Sequence, residues 1–410
     1  MASSVPSAVG PSRSLGTFRA LRHRDFRLLW FSLLVSAIGT WMQIVAQSLL
    51  VLKIAHGSAF ALGCVSLAQA MSFFLFALIG GSVADRVDKR RLLLFTQASS
   101  ALLALLLGFL TLRGIVKLWM ILVLAFLNGT LLSFDQPTRG ALIPAVVPKE
   151  DLPNAISLQS MLFNGASTIG PALAGLGVVK LGYAGNFFLN GVSFLVVLAA
   201  LCFISVPVTR PHQRSTGQAI RRALLTVRRD AVLPWALSGY AAMLFFAPSL
   251  ALVLPVYATK VLHVGPERLG FLFSAAGVGT IVGALFLASS ASRRGATYLS
   301  GMFVWIAALA IFAATNRFWV ALSSLLVFGF GQTLTGTSTI TLLQTRVPDD
   351  LRGRMMSLNT LLIMGVRPLG DFPAGALIGA LGAPTTIAVS AALVAVYGIF
   401  VSMRSSLRSA

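Results

Sequence analysis

Two charged side chains stand inside a run of apolar sequence. Arg367 and Asp371 lie four residues apart in the stretch 354–381, a spacing that puts both on one face of a helix. A charge at the centre of a bilayer costs at least about 2.5–3.5 kcal/mol, so these groups must face protein or a water-filled cavity. Three roles suit the pair: proton exchange at Asp371 with Arg367 as its partner, a fixed ion pair that sets packing, or solute contact through Arg367. Uncharged polar side chains recur at helical spacing elsewhere. Ser36, Thr40, Gln43 and Gln47 form one stripe beside Trp41, and Ser66, Gln69 and Phe73 a second. Ser160, Asn164 and Ser167 form a third, and Gln332, Thr335 and Thr339 a fourth. Such stripes line cavities or bind helices to one another. The first stripe is the strongest candidate for solute contact.

The elements that must carry these residues follow from composition. The 410 residues are 57% hydrophobic and 10% charged, against roughly 25% charged in soluble proteins, with a mean hydropathy of +0.87. Apolar runs fall at 28–52, 59–83, 92–112, 117–135, 155–180 and 186–206, then at 232–259, 268–291, 297–315, 318–343, 354–381 and 384–403. A crossing takes about 20 such residues, so the expectation is an all-α polytopic membrane protein of twelve transmembrane helices. The net charge of +21 suggests nucleic acid until the charges are placed. With loops alternating from an N-terminus inside, 24 of the 32 Lys and Arg fall on the cytoplasmic side, seven outside, and Arg367 within a span. That bias is the positive-inside rule; it points to a bilayer partner, a plasma-membrane location with both termini cytoplasmic, and no nucleic acid.

The organisation reads as a flexible cytoplasmic segment 1–27 ending in Arg19, Arg22, Arg24 and Arg27, a six-helix bundle 28–206, a connector 207–231, a second bundle 232–403, and a tail 404–410. The connector carries Arg210, Arg214, Arg221, Arg222, Arg228 and Arg229, a composition that suits an amphipathic surface helix. The halves look duplicated: Val147-Pro148, Ser157-Leu158, Gly165, Gly170 and Ala174-Gly175 recur 200 residues later as Val347-Pro348, Ser357-Leu358, Gly365, Gly370 and Ala374-Gly375. Two pseudo-symmetric six-helix bundles are expected.

Between the second and third runs lies Gly80-Gly81-Ser82-Val83-Ala84-Asp85-Arg86-Val87-Asp88-Lys89-Arg90-Arg91. Through Gly81, Asp85, Arg86, Lys89 and Arg90 it resembles the G-x-x-x-D-R-x-G-[RK]-[RK] signature of the major facilitator superfamily, with Asp88 where the signature usually has Gly; Ser292-Arg293-Arg294 is a weaker partner in the second half. In the fifth run, Gly165, Gly170, Pro171 and Gly175 resemble the superfamily's antiporter signature, and Gly277, Gly279 and Gly283 offer a matching small-residue face in the eighth. Asp135-Gln136-Pro137-Thr138-Arg139-Gly140 with its sequel through Pro144 and Pro148 resembles the macrolide- and siderophore-exporting branch. The resemblance implies a self-sufficient monomer working by alternating access. It also implies a latch at the inner gate, Asp135 pairing with Arg86 or Lys89 and Asp85 with the start of the eleventh helix.

The chain holds no H-E-x-x-H, G-x-S-x-G or G-x-x-x-x-G-K-[ST] pattern, which disfavours a zinc hydrolase, a serine hydrolase or an ATP-driven pump. The four histidines are scattered and no cofactor or metal is implied. Cys64 and Cys202 lie in apolar runs and read as packing residues. No cleavable signal peptide is visible, and the first span reads as the insertion signal. With only Asp371 deep in the membrane, a neutral or anionic amphiphilic small molecule fits better than a multivalent cation. The leading expectation is a secondary active exporter, with protons as the coupling ion; an importer or facilitator, a pore and a polytopic membrane enzyme are the alternatives.

Overall fold

The computed structural model describes residues 18–204, 222, 225–289 and 294–404. The first half comprises α1 (Arg24–Ile54), α2 (Ala59–Arg86), α3 (Lys89–Leu112), α4 (Leu118–Val146) and α5 (Leu152–Phe203). The second comprises α6 (Leu233–Phe246), α7 (Leu250–Lys260), α8 (Pro266–Ser289), α9 (Arg294–Ala314), α10 (Phe318–Arg346), α11 (Asp349–Leu361), α12 (Arg367–Leu381) and α13 (Ala383–Ser402). A π-helical turn at Leu362–Val366 joins α11 to α12.

α5 has 52 residues, about 78 Å at 1.5 Å per residue, more than twice a hydrocarbon core of roughly 30 Å. It is two crossings. Gly182 breaks it at φ 70° and ψ −178°, a left-handed backbone that glycine adopts without steric cost. Asn186 Nδ2 donates to the Gly182 carbonyl at 3.2 Å and secures the reversal. Eleven helical segments among the described residues are long and apolar enough to span a membrane; dividing α5 at Gly182 makes twelve crossings.

Several boundaries differ from those read off hydropathy. α2 continues to Arg86, so Gly81 and Asp85 lie in the helix and the turn shrinks to Val87-Asp88. Asp88 caps α3 by accepting from Arg91 N at 2.8 Å, so the residue that departs from the signature contributes a helix N-cap. α4 runs on to Val146 through Pro137 and Pro144, which places Asp135 and Arg139 within it. The seventh crossing is broken at 247–249 into α6 and α7. Residues 19–27 are folded, not a loose head: Arg19–Arg22 form a 3-10 turn, Ala20 is fully buried, and its N–H donates to Asn154 Oδ1 at 2.9 Å. Asp151 holds the same segment through Arg19 Nε at 2.7 Å and His23 Nε2 at 2.8 Å. Most of the 207–231 connector, Arg293 and the tail beyond Arg404 lie outside the described residues; within the connector, 225–229 are helical.

The helices form two bundles, α1–α5 and α6–α13. In lipid a helix end must find partners within the protein, and each bundle supplies them. Arg90 donates from Nε to the Leu201 carbonyl at 2.7 Å and from a terminal nitrogen to the Cys202 carbonyl at 2.6 Å, closing the end of α5. The Tyr257 hydroxyl lies 2.6 and 2.7 Å from the Phe312 and Thr315 carbonyls, which share its one proton at the end of α9.

Candidate functional site

Side chains from α1 to α5 enclose a cavity of about 190 Å³. Thr40, Gln43, Gln47 and Ser48 enter from α1, Ser66 and Gln69 from α2, Ser100 from α3, Asn128 from α4 and Asn190 from the second arm of α5, while α7 contributes Ala251. Leu62, Val65, Leu103, Leu124 and Phe194 complete it, and no lining residue is charged. Some of this polarity is spent internally. Thr40 donates to the Ser36 carbonyl, Ser48 to the Ile44 carbonyl, and Asn190 Nδ2 to Gln43 Oε1 at 2.7 Å. The structure therefore gathers Thr40, Gln43, Gln47 and Gln69 and leaves the other three sequence candidates elsewhere. Asn164 is half-buried on α5, its carbonyl accepting from Ser167 and Thr168. Gln332 is half-buried on α10. Thr339 is fully buried and donates to the Thr335 carbonyl at 2.8 Å, so it serves packing. Ser100, Asn128 and Asn190 fall outside the four stripes; the available signal was polar spacing in the third run (Thr96, Gln97, Ser100) and the sixth (Asn186, Asn190, Ser193), and an amide, Asn128, in the apolar fourth.

Two seams join the bundles at one end, and both are built from residues small enough for backbones to touch. In the first, a Cβ at Gly175 would meet the Pro266 carbonyl and stand 2.9 Å from Glu267 Cα, and one at Gly277 would stand 2.5 Å from Thr168 Oγ1. Gly270 in turn faces the Pro171 carbonyl, and Ser274 donates to the Thr168 carbonyl at 2.5 Å. In the second, Gly375 stands against the Ala59 carbonyl (2.8 Å) and Gly63 against that of Asp371 (3.0 Å). The seams are counterparts: the 200-residue offset carries Gly175 onto Gly375 and Pro171 onto Asp371. Gly170 packs on Trp41 of α1, and Gly370 on the Phe245 backbone of α6. Gly165 meets nothing within 4 Å, and Gly279 and Gly283 face α10 rather than α5.

Ser157, Ser160 and Met161 of α5 and Ala284 and Ala288 of α8 are exposed. Close backbone contact between the bundles thus lies at the end of the α1–α2 and α7–α8 turns, and these exposed residues lie toward the end that carries the N-terminal segment and the basic α2–α3 turn.

Of the three roles open to Arg367 and Asp371, the direct ion pair is not formed. Asp371, 2% exposed, accepts the backbone N–H of Ser249 through Oδ1 at 2.7 Å. The break between α6 and α7 leaves that N–H at a helix start, where a carboxylate is favoured. Arg367 lies within electrostatic reach of both Asp371 and Tyr240 of α6, and its Nε is buried without a hydrogen-bond partner.

The expected pairing of Asp135 with Arg86 or Lys89 is absent as well. Asp135, 5% exposed, bonds Arg139 on its own helix, Gln97 Nε2 at 2.7 Å and Thr96 Oγ1 at 3.2 Å. It is a polar knot between α3 and α4. Arg86 is exposed, Lys89 opens α3, and Arg90 closes α5. The side chains of Asp85 and of most residues in the first turns of α11 lie outside the described residues. At the other end of the signature, Gly80 rather than Gly81 makes the close approach, against the Ser133 backbone of α4.

The chain matches the transmembrane secretion effector family over residues 15–410. It is 24% identical over 375 residues to the enterobactin exporter EntS of Citrobacter koseri, covering 90% of this chain and 88% of that one. It is 26% identical over 344 residues to the staphyloferrin A transporter of Staphylococcus aureus, covering 82% and 84%. Among solved structures, a bacterial homologue of the iron transporter ferroportin in its inward-facing state superposes with a TM-score of 0.73 at 19% identity, over 93% of this chain and 98% of that one. The nucleoside transporter NupG does so with a TM-score of 0.70 at 14% identity, over 93% and 99%. A twelve-crossing chain with two pseudo-symmetric bundles, an internal polar cavity and a match over almost its whole length belongs to the transmembrane secretion effector family of the major facilitator superfamily, and it is a membrane transporter.

Proposed function

We propose that this transporter exports a siderophore-like small molecule across the plasma membrane, in exchange for protons carried by Asp371. The observation that carries the reading is the pairing of an uncharged polar cavity with a carboxylate buried beside it. A cavity of amides and hydroxyls set among leucine, valine and phenylalanine suits an uncharged or weakly anionic amphiphile better than a cation. The named activities of the enterobactin exporter and the staphyloferrin A transporter support a siderophore as cargo.

The orientation follows from charge. With the basic end in the cytoplasm, both termini are cytoplasmic and the glycine seams lie at the outer end, which leaves loading to the inner side. Export then requires the two bundles to rock about the site, parting at the glycine seams and closing at the basic end. In that opposite state the segment from Gly81 through Asp85, Arg86, Lys89 and Arg90 would meet α11 as a latch. One chain contains both bundles, so a monomer suffices.

The test is accumulation of metal-free enterobactin, staphyloferrin A, a macrolide and a cationic dye in expressing cells, with and without a protonophore. Lowered accumulation of a siderophore that the protonophore abolishes, and that Asp371→Asn loses, is the expected result. Clearance of the cationic dye alone would overturn the cargo assignment, and protonophore-resistant clearance would overturn the proton coupling.

A further inference from the structure

Arg367 is a cation that its surroundings do not satisfy. It is half-buried within a crossing. Among the described residues it makes no hydrogen bond and no ion pair, and its Nε is buried bare. The acid one turn further on is spent on Ser249 N. A charge at membrane depth is costly, and where the protein leaves it unpaired it marks a path for solute or ion. The π turn that ends at Val366 points the same way, since such interruptions recur at functional positions.

The contacts of α12 fix where the side chain is directed. Gly370 packs on the Phe245 carbonyl of α6 and Gly375 on the Ala59 carbonyl of α2. Between them Asp371 reaches Ser249 at the α6–α7 break. Arg367 lies one turn before Asp371 on the same face, so it enters the gap between α6 and α2. Its depth is bracketed by two contacts with α2: Gly63 on the Asp371 carbonyl, and Gly365 on the Phe74 ring. Between Gly63 and Phe74 stands Gln69, a residue of the cavity wall. The first bundle thus supplies amides and hydroxyls, and the second faces them with a guanidinium.

A guanidinium stays charged in proteins and presents paired N–H donors in one plane, a shape that matches a carboxylate. Resting on the export reading above, we propose that Arg367 binds the cargo through a carboxylate, so that the transporter takes carboxylate-bearing siderophores in preference to those that present only neutral groups. Gln69 and Asn128, across the bundle boundary, hold the uncharged part. The carboxylate gives the unpaired guanidinium the partner that the protein withholds. A cationic solute would instead bring a second positive charge beside the first, which accounts for its exclusion.

The experiment is equilibrium binding of metal-free staphyloferrin A, and of its methyl ester, to the full-length protein in lipid nanodiscs at neutral pH. Esterification keeps the skeleton and removes the charge. The parent should bind the acid about 10- to 150-fold more tightly than the ester, the value of a charge-assisted hydrogen bond. In Arg367→Gln that preference should shrink to within about twofold, through loss of affinity for the acid. Arg367→Lys, which keeps the charge but not the planar fork, should fall between. A residue that only fixed packing would change both ligands alike. A parent that binds acid and ester equally, or an Arg367→Gln protein that keeps the parental preference, overturns the proposal and leaves export standing. So does a parent that binds metal-free enterobactin but neither form of staphyloferrin A. A parent that binds none of these compounds overturns the cargo reading itself, and this inference with it.

Discussion

Replacing Gly175 with leucine should spring apart the end of the molecule that the two seams hold shut. A Cβ there would overlap the Pro266 carbonyl and stand 2.9 Å from Glu267 Cα. Both are backbone atoms at the start of α8 and cannot rotate away. Overpacking of this kind costs about 1–3 kcal/mol, and here it falls on the closed arrangement alone, because the contact joins the two bundles. The balance between open and closed should therefore shift by about 5- to 160-fold at the seam end. The assay is modification of a single cysteine at Gln47 in the cavity, in a Cys64→Ser/Cys202→Ser background, by an impermeant maleimide applied to vesicles of either orientation. Labelling from the seam side should accelerate within that range, and the pseudo-symmetric Gly375→Leu should do the same. Gly165→Ala, in open space, is the control and should change nothing. A well-folded Gly175→Leu protein that labels at the parental rate would refute the claim that this glycine seam is a gate.

Three further outcomes follow from contacts already described. Asp135→Asn leaves Arg139 half-buried without its anionic partner and should lower stability by about 3 kcal/mol, read as a drop in thermal unfolding in detergent; adding Arg139→Gln should recover part of it. Arg90→Ala removes two charge-assisted bonds to the end of α5 and should destabilise by about 1–3 kcal/mol, with Arg90→Lys intermediate in the same melt. In transport, Gln69→Leu or Asn128→Leu should raise KM about tenfold, the value of one lost hydrogen bond of about 1.4 kcal/mol. Thr339→Val, buried away from the cavity, should leave KM within about twofold.

Much of the architecture was legible because hydropathy in a membrane is nearly a direct record of helices. The twelve runs, the 200-residue repeat and the Gly-Pro segment of the fifth run each correspond to a feature of the structure. What failed has a common physical cause: sequence spacing shows which residues share a face, but not which competitor wins a bond. Asp135 and Arg139 share a spacing of four with Arg367 and Asp371. The first pair bonds; in the second, Asp371 is taken by the Ser249 N–H, which exists as a donor only because the seventh crossing is interrupted at 247–249. The π turn before Arg367 is equally silent in an apolar pattern. Charges at a helix end also mislead, since Asp85 and Arg86 look like loop yet extend α2 at the membrane surface. Of the cavity, the α1 stripe was readable and Ser100, Asn128 and Asn190 were not, because their meaning lies in the meeting of α1 to α5.

The correspondence of Pro171 with Asp371 bears on how a duplicated gene becomes a machine. Two identical halves related by an axis along the membrane normal would bring the same residue to both seams. Here one copy of the position is a proline, with nothing to ionise, and the other is an acid. An alignment of the two halves scores that column as a mismatch. The same mismatch makes the two seams chemically unequal, an asymmetry that identical repeats would lack.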